Sequence, residues 1–152
     1  MSELYCCVET PKGSHLSEDG VVHQAIECPA DCGYFPQTLM RAGRPLEAIV
    51  CVSAPHSRGG MIAVKPIALL TMRDHVGYDE FVVCVALDDS AWSTVRRVGD
   101  LPTQLRREIE AFLAARPGAR DASIVGWRAG DEALAAIDDA AARWAASVNG
   151  RA

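Results

Sequence analysis

The side chains in this sequence that could do chemistry are a scatter of carboxylates near turns and a set of six cysteines. The stretch RAGRPLEAIV, residues 41–50, has the layout of a loop running into a buried strand, with Arg44 and Glu47 among its charged positions. Asp74 and Asp79 flank HVGY, a glycine-containing turn between apolar runs, where acidic residues ordinarily act as solvated turn formers. Glu9 stands in an otherwise apolar strand, as an outward-facing residue would. Four cysteines, Cys6, Cys7, Cys51 and Cys84, lie inside LYCCVE, AIVCVS and FVVCVAL, where a thiol behaves as a small hydrophobe. Cys28 and Cys32 in CPADCGY are separated by three residues rather than the two of a zinc knuckle, and no second pair follows at knuckle distance. A metal pocket lined by Cys28, Cys32 and a nearby histidine is therefore the lesser alternative for this segment. The histidines His15, His23, His56 and His75 share no metal-ligand spacing; His75 draws interest only because it adjoins Asp74.

The elements that must position these residues come as strands first and helices last. LYCCVET, VVHQAIE, AIVCVS, MIAVKPIALLTM and FVVCVAL read as strands separated by Gly, Pro and Asp clusters. From Asp100 the period changes. Leu101, Leu105, Ile109, Phe112 and Leu113 recur at helical steps, Asp100 is placed to cap the helix, and RPG stops it after Arg116. ASIVGW is one more short strand. The last segment predicts an amphipathic helix capped by Asp131, with Leu134, Ile137, Ala141, Trp144 and Val148 on its apolar face. Trp92, Trp127 and Trp144 read as core anchors rather than a stacking platform. Strands followed by helices argue an α+β, mainly β fold: a barrel or strongly curved sheet covered on one side.

Composition sets the outer limits. The 152 residues, 49% hydrophobic, suit a single domain spanning 1–152. The 15 basic and 20 acidic residues leave a net charge of −5 with no basic run, which argues against a nucleic-acid partner. No apolar stretch is long enough to span a membrane, and MSELYCCVET lacks the regions of a signal peptide, so the expected location is cytoplasmic.

The order VETPKGS, CPADCGYFPQTL, GRPLEAIVCV, VKPIALLTMRD, LDDSAWSTVRRVGDLP, EIEAFLA, VGW and a final alanine-rich helix resembles the soluble (family I) inorganic pyrophosphatases across nearly the whole chain. The resemblance implies an OB-like five-stranded closed barrel with flanking C-terminal helices. It also implies hydrolysis of pyrophosphate to two phosphates, with Mg2+ held by a ring of aspartates and with Lys and Arg on the phosphates. Carried over position by position, the D-G-D-P-L-D loop of the family falls on Ala42, Arg44 and Glu47; the following pair of aspartates falls on Asp74 and Asp79. The early pocket glutamate falls on Glu9, the pocket tyrosine on Cys32, a lysine on Phe81, and a Tyr-Lys pair on Arg116 and Pro117. The hairpin after PKGS, which carries further basic residues in the family, is shortened to SHLSEDG.

The resemblance thus assigns Glu47, Asp74 and Asp79 as metal ligands and Glu9, Cys32 and Arg44 as the ligand pocket, with Mg2+ bound weakly. The implied reading is a divergent member with weak or no pyrophosphate hydrolysis, keeping the scaffold for binding pyrophosphate or another phosphorylated small molecule, or for assembly. Its alternative is an active Mg2+-dependent inorganic diphosphatase with a rebuilt metal site. A homo-oligomer is implied by the same resemblance.

Overall fold

The computed structural model describes residues 3–15, 27–116 and 121–150. Six strands run through it: β1 (Leu4–Thr10), β2 (Asp31–Tyr34), β3 (Glu47–Cys51), β4 (Met61–Arg73), β5 (Tyr78–Ala86) and β6 (Ser123–Ala129). Helix α1 (Thr103–Ala114) precedes β6, and α2 (Gly130–Asn149) follows it. β1, β2, β3, β5 and β4 pair in that order, and β4 pairs back onto β1, so five strands close into a ring. β3 and β5 are parallel; the other ring pairs are antiparallel.

The 13-residue β4 serves three partners. Its first half pairs with β1, its second half with β6, and β5 runs along most of its length. The register against β5 shifts between Pro66 and Ala68, where proline offers no N–H to the ladder and the strand bends from one partner to the other. β1 crosses β2 at Gly33, where a Cβ would lie 1.8 Å from the Cys7 carbonyl oxygen, so only glycine admits this approach.

Successive residues of β3 and β5 enter two different cores. Ala48, Val50, Val82, Cys84 and Ala86 join Cys6, Val8, Val64 and Leu69, sealed by Ala133, Ile137 and Ala140 of α2. Ile49, Cys51, Phe81, Val83 and Val85 face the other way, against Ile109, Phe112 and Leu113 of α1. Burial on both faces is why these strands read as unbroken apolar runs rather than as alternation.

Several sequence expectations shift. β2 was not anticipated as a strand, being four residues long and containing Gly33. The strand expected over VVHQAIE falls almost wholly at 21–26, outside the described residues, as do His23 and most of the shortened hairpin. Asp100 does not cap α1, which starts at Thr103; its carboxylate instead accepts from the Arg96 N–H at 3.0 Å. α2 begins one residue before Asp131, and Glu132 reaches back to the Ala129 N–H at 3.4 Å. The face α2 buries is Ala133, Ile137 and Ala140, whereas Leu134 and Val148 are exposed, because the small alanines let the helix lie close to the ring. Trp127 is half-buried and donates its indole N–H to Glu110 at 3.1 Å.

Candidate active site

The first residue of β3 is the pivot of the site. Glu47 emerges where the RAGRP loop enters the strand, and its carboxylate takes two hydrogen bonds from Arg116, at 2.7 and 3.4 Å. Arg116 follows the end of α1 and lies over the Phe81 ring, 5.4 Å from its centroid. Phe81 faces Glu47 in the parallel register of β3 and β5. The guanidinium thus takes up the space beside a position where the family resemblance calls for a lysine. Burial works against its charge, but the hydrogen bond and charge of Glu47 outweigh this and raise its pKa.

A second acid–base pair lies alongside. Arg44, in the loop before β3, approaches Asp79 of β5 at 3.4 Å. Burial pushes the Asp79 carboxyl up, and the neighbouring negative charge of Glu47 adds to the effect, while Arg44, Arg116 and the Glu80 N–H pull the other way. Asp74 is differently employed: it accepts from the backbone N–H groups of Val76 and Gly77 at 2.8 and 2.9 Å, closing the turn between β4 and β5. These bonds hold its pKa below the usual carboxylate value. His75 beside it is exposed.

The six residues singled out from sequence line two adjoining clefts. A small one, about 60 Å3, lies between the ring and α1 and is bordered by Glu9, Cys32, Glu47, Phe81 and Arg116. A wider one, about 580 Å3, is bordered by Arg44, Glu47, Asp74 and Asp79 and by Asp139 and Arg143 of α2. Glu47 belongs to both.

Arg116 and Arg143 border the clefts, each already engaged: Arg116 by Glu47, and Arg143 by Asp139 at 2.8 Å and the Leu39 carbonyl at 2.9 Å. In sequence Arg116 stands at a tyrosine position of the family pattern, and nothing singles out Arg143 of α2. No short-range signal marks either as a site residue, since each arrives from a helix distant in sequence. The Asp31–His56 pair was also missed. Asp31 is 1% exposed, accepts from the Lys12 and His56 N–H groups at 2.8 and 3.2 Å, and lies 2.8 Å from His56 Nδ1. It ties the start of β2 to the segments after β1 and β3.

The donor set does not suit a cluster of several Mg2+ ions. Octahedral Mg2+ takes hard oxygen ligands, commonly one or two carboxylates with substrate phosphates and water. Among the described residues no three His, Cys, Asp or Glu side chains converge as a metal site would require. Glu47 and Asp79 each face an arginine. The same finding leaves Cys28 and Cys32 without a third ligand among the described residues.

A ring of five strands with two C-terminal helices, carrying acidic and arginine side chains beside β3 and β5, defines an OB-like fold. The chain belongs to the inorganic pyrophosphatase family, whose pattern it matches over residues 8–145. It is 31% identical over 150 residues to an inorganic pyrophosphatase of Methanosarcina acetivorans, covering 90% of this chain and 89% of the relative. It is 35% identical over 143 residues to one from Leifsonia xyli, covering 84% and 86%. The crystal structure of the Thermus thermophilus inorganic pyrophosphatase superposes with a TM-score of 0.79 at 26% identity, covering 92% of this chain and 90% of that one.

Proposed function

We propose that this protein is a divergent inorganic-pyrophosphatase-like protein that binds pyrophosphate or a similar small phosphorylated anion around Glu47, with weak or no hydrolysis. One observation carries the reading: Glu47 and Asp79, at positions where the family places metal ligands, are each paired to an arginine. Hydrolysis of a phosphoanhydride demands charge neutralisation by cations on the oxygens and activation of the attacking water. An arginine supplies positive charge to a phosphate through its planar fork, but it does not activate water as a metal does. Exchanging an aspartate for Arg44 beside a divalent ion reverses an interaction worth ~4 kcal/mol at 4 Å and an effective dielectric of 20. That corresponds to roughly three orders of magnitude in affinity.

The second reading is an active diphosphatase in which Glu47, Asp74 and Asp79 serve fewer ions. Family membership and the survival of these three carboxylates favour it. Phosphate release from pyrophosphate, measured with Mg2+, Mn2+ and Co2+ in parallel, separates the two. Release near the uncatalysed background, with calorimetric binding of pyrophosphate, is the result expected; turnover comparable to that of the Thermus relative would establish the second reading.

A further inference from the structure

CPADC carries one pair of groups whose thiol chemistry the proposed function does not use. Cys28 Sγ and Cys32 Sγ lie 3.2 Å apart. Residues 28–30 precede β2 and carry no strand ladder of their own, so the chain bends there and brings two sulfurs four residues apart into contact. The members of the pair differ in access. Cys28 is 1% exposed and packs in the core under α1, whereas Cys32 is half-buried and borders the small cleft. A disulfide bond is about 2.05 Å long, so closing this contact needs a shortening of about 1.2 Å shared between two side chains.

We propose that Cys28 and Cys32 form a peroxide-sensitive dithiol site, in which a small hydroperoxide entering the cleft oxidises Cys32 and Cys28 resolves the product as a Cys28–Cys32 disulfide. The cleft has room for a small oxidant: about 60 Å3 admits a few water-sized molecules, which suits hydrogen peroxide. The chemistry balances. One thiol proton leaves to water, giving a Cys28 thiolate that accepts the hydrogen bond of Cys32; as the peroxide reaches Cys32, the remaining proton passes across the 3.2 Å contact to Cys28, and Cys32 Sγ reacts as the thiolate. Cys32 Sγ takes one peroxide oxygen as the O–O bond breaks, giving a sulfenic acid and one water. Cys28 Sγ then attacks Cys32 Sγ, the S–O bond breaks, and a second water leaves. Two thiols and one peroxide become one disulfide and two waters, two electrons passing from sulfur to oxygen.

The electrostatics of the pair supply one thiolate, on Cys28, and leave access to the cleft to set the order of events. The hydrogen bond from Cys32 lowers the Cys28 thiol, while that bond and burial raise Cys32 well above the ordinary thiol value. Losing one proton from the pair is thus easier than from a solitary buried thiol. Of the other buried thiols, Cys84 is raised well above the ordinary value by burial and by its hydrogen bond with Cys6, and burial pushes Cys51 up to about 12 against the opposing charge of Lys12.

The test uses the reduced full chain treated with hydrogen peroxide, followed by thiol titration and peptide mapping without reductant. Four of the six thiols should remain, the mass should fall by about 2 Da, and the linked peptide should join Cys28 to Cys32, all reversed by dithiothreitol. In Cys28→Ser the resolving sulfur is gone, so Cys32 should advance to the sulfinic acid, about 32 Da heavier and not reversed. Should that variant fail to fold by circular dichroism, Cys32→Ser serves: its buried Cys28 should stay reduced under the same treatment. Six thiols surviving in the wild-type chain, a link through Cys6, Cys7, Cys51 or Cys84, or sulfinic Cys32 with Cys28 intact would each overturn the proposal. None of these readouts depends on pyrophosphate binding.

Discussion

At the scale of single residues, the Glu47–Arg116 contact decides what the small cleft offers. Their side chains are 26% and 32% exposed, so the pair sits between the nearly worthless exposed ion pair and the costly buried one. Arg116→Met should lower stability by about 1–2 kcal/mol, because it leaves the Glu47 carboxylate partly buried without its fork and also removes the cation from the Phe81 face. Glu47→Gln should cost a similar amount. The double variant should cost less than the two together, with a coupling of about 1 kcal/mol in urea unfolding. Strict additivity would show that the two side chains do not hold each other in solution. Asp79 behaves oppositely to an ordinary paired carboxylate. Its pKa is raised above 3.8, so its favourable share of stability is complete below that value and is lost as pH rises through the folded pKa. Asp79→Asn should therefore leave the free protein as stable at neutral pH as the wild type, or slightly more so, in thermal unfolding.

At the scale of elements, the ring depends on two local devices. The approach of β1 to β2 at Gly33 leaves no room for a methyl group: a Cβ there meets the Cys7 oxygen at 1.8 Å. Gly33→Ala should destabilise the chain by at least about 3 kcal/mol or prevent folding. Gly126→Ala in β6, where a Cβ meets nothing within 4 Å, should stay within about 0.5 kcal/mol of wild type. Equal effects at the two positions would refute the close approach. The second device is Asp89, which accepts from Ser53 N–H and Oγ at 2.7 and 2.8 Å and from Ala91 N–H at 3.2 Å. It stitches the segment after β3 to the helical turn Ser90–Trp92 after β5. The donors from Ser53 hold its pKa below 3.8, so the stability it contributes is present above that value and is lost as pH falls through the lowered one. Thermal midpoints recorded down to about pH 2 should fall less steeply in Asp89→Ala than in the wild type. Parallel acid slopes would remove Asp89 from the account.

At the scale of the whole molecule, two properties depend on parts brought together from across the chain. Restoring the family's loop with Ala42→Asp, Arg44→Asp and Glu47→Asp rebuilds the acidic side of the wide cleft. Calorimetry should then show clearly tighter Mg2+ binding, while phosphate release stays far below that of an ordinary family member, because the lysine absent at Phe81 is not restored. Robust hydrolysis by the triple variant would mean that Arg116 and Arg143 already supply the phosphate contacts. Assembly is the other property. Leu134 and Val148 of α2 and Val125 of β6 are each nearly half exposed, at 46%, 47% and 49%, and a homo-oligomer would cover apolar side chains of this kind. Light scattering at micromolar protein should give a multiple of 16.3 kDa, and a monomer mass would end the idea.

Much of the fold was legible in the sequence because its strongest signals are local. β3, β4 and β5 are buried on both faces, so they appear as apolar runs. α1 presents Ile109, Phe112 and Leu113 at helical spacing, and motif order points to the family. β2 escaped because four residues around an obligatory glycine carry no period, and the buried face of α2 was misjudged because alanine gives a weak apolar signal beside leucine and valine. The candidate residues Glu9, Cys32, Arg44, Glu47, Asp74 and Asp79 come from motif positions alone. What each of them touches does not. Arg116 meets Glu47 across 69 residues of sequence, Arg44 meets Asp79 across 35, and His56 meets Asp31 across 25. Such partnerships arise only when the ring closes and α1 docks on its outer face. A side chain's charge belongs to the sequence, but its neighbours, and with them its pKa and its availability to a ligand, are set by packing between segments that no local pattern connects.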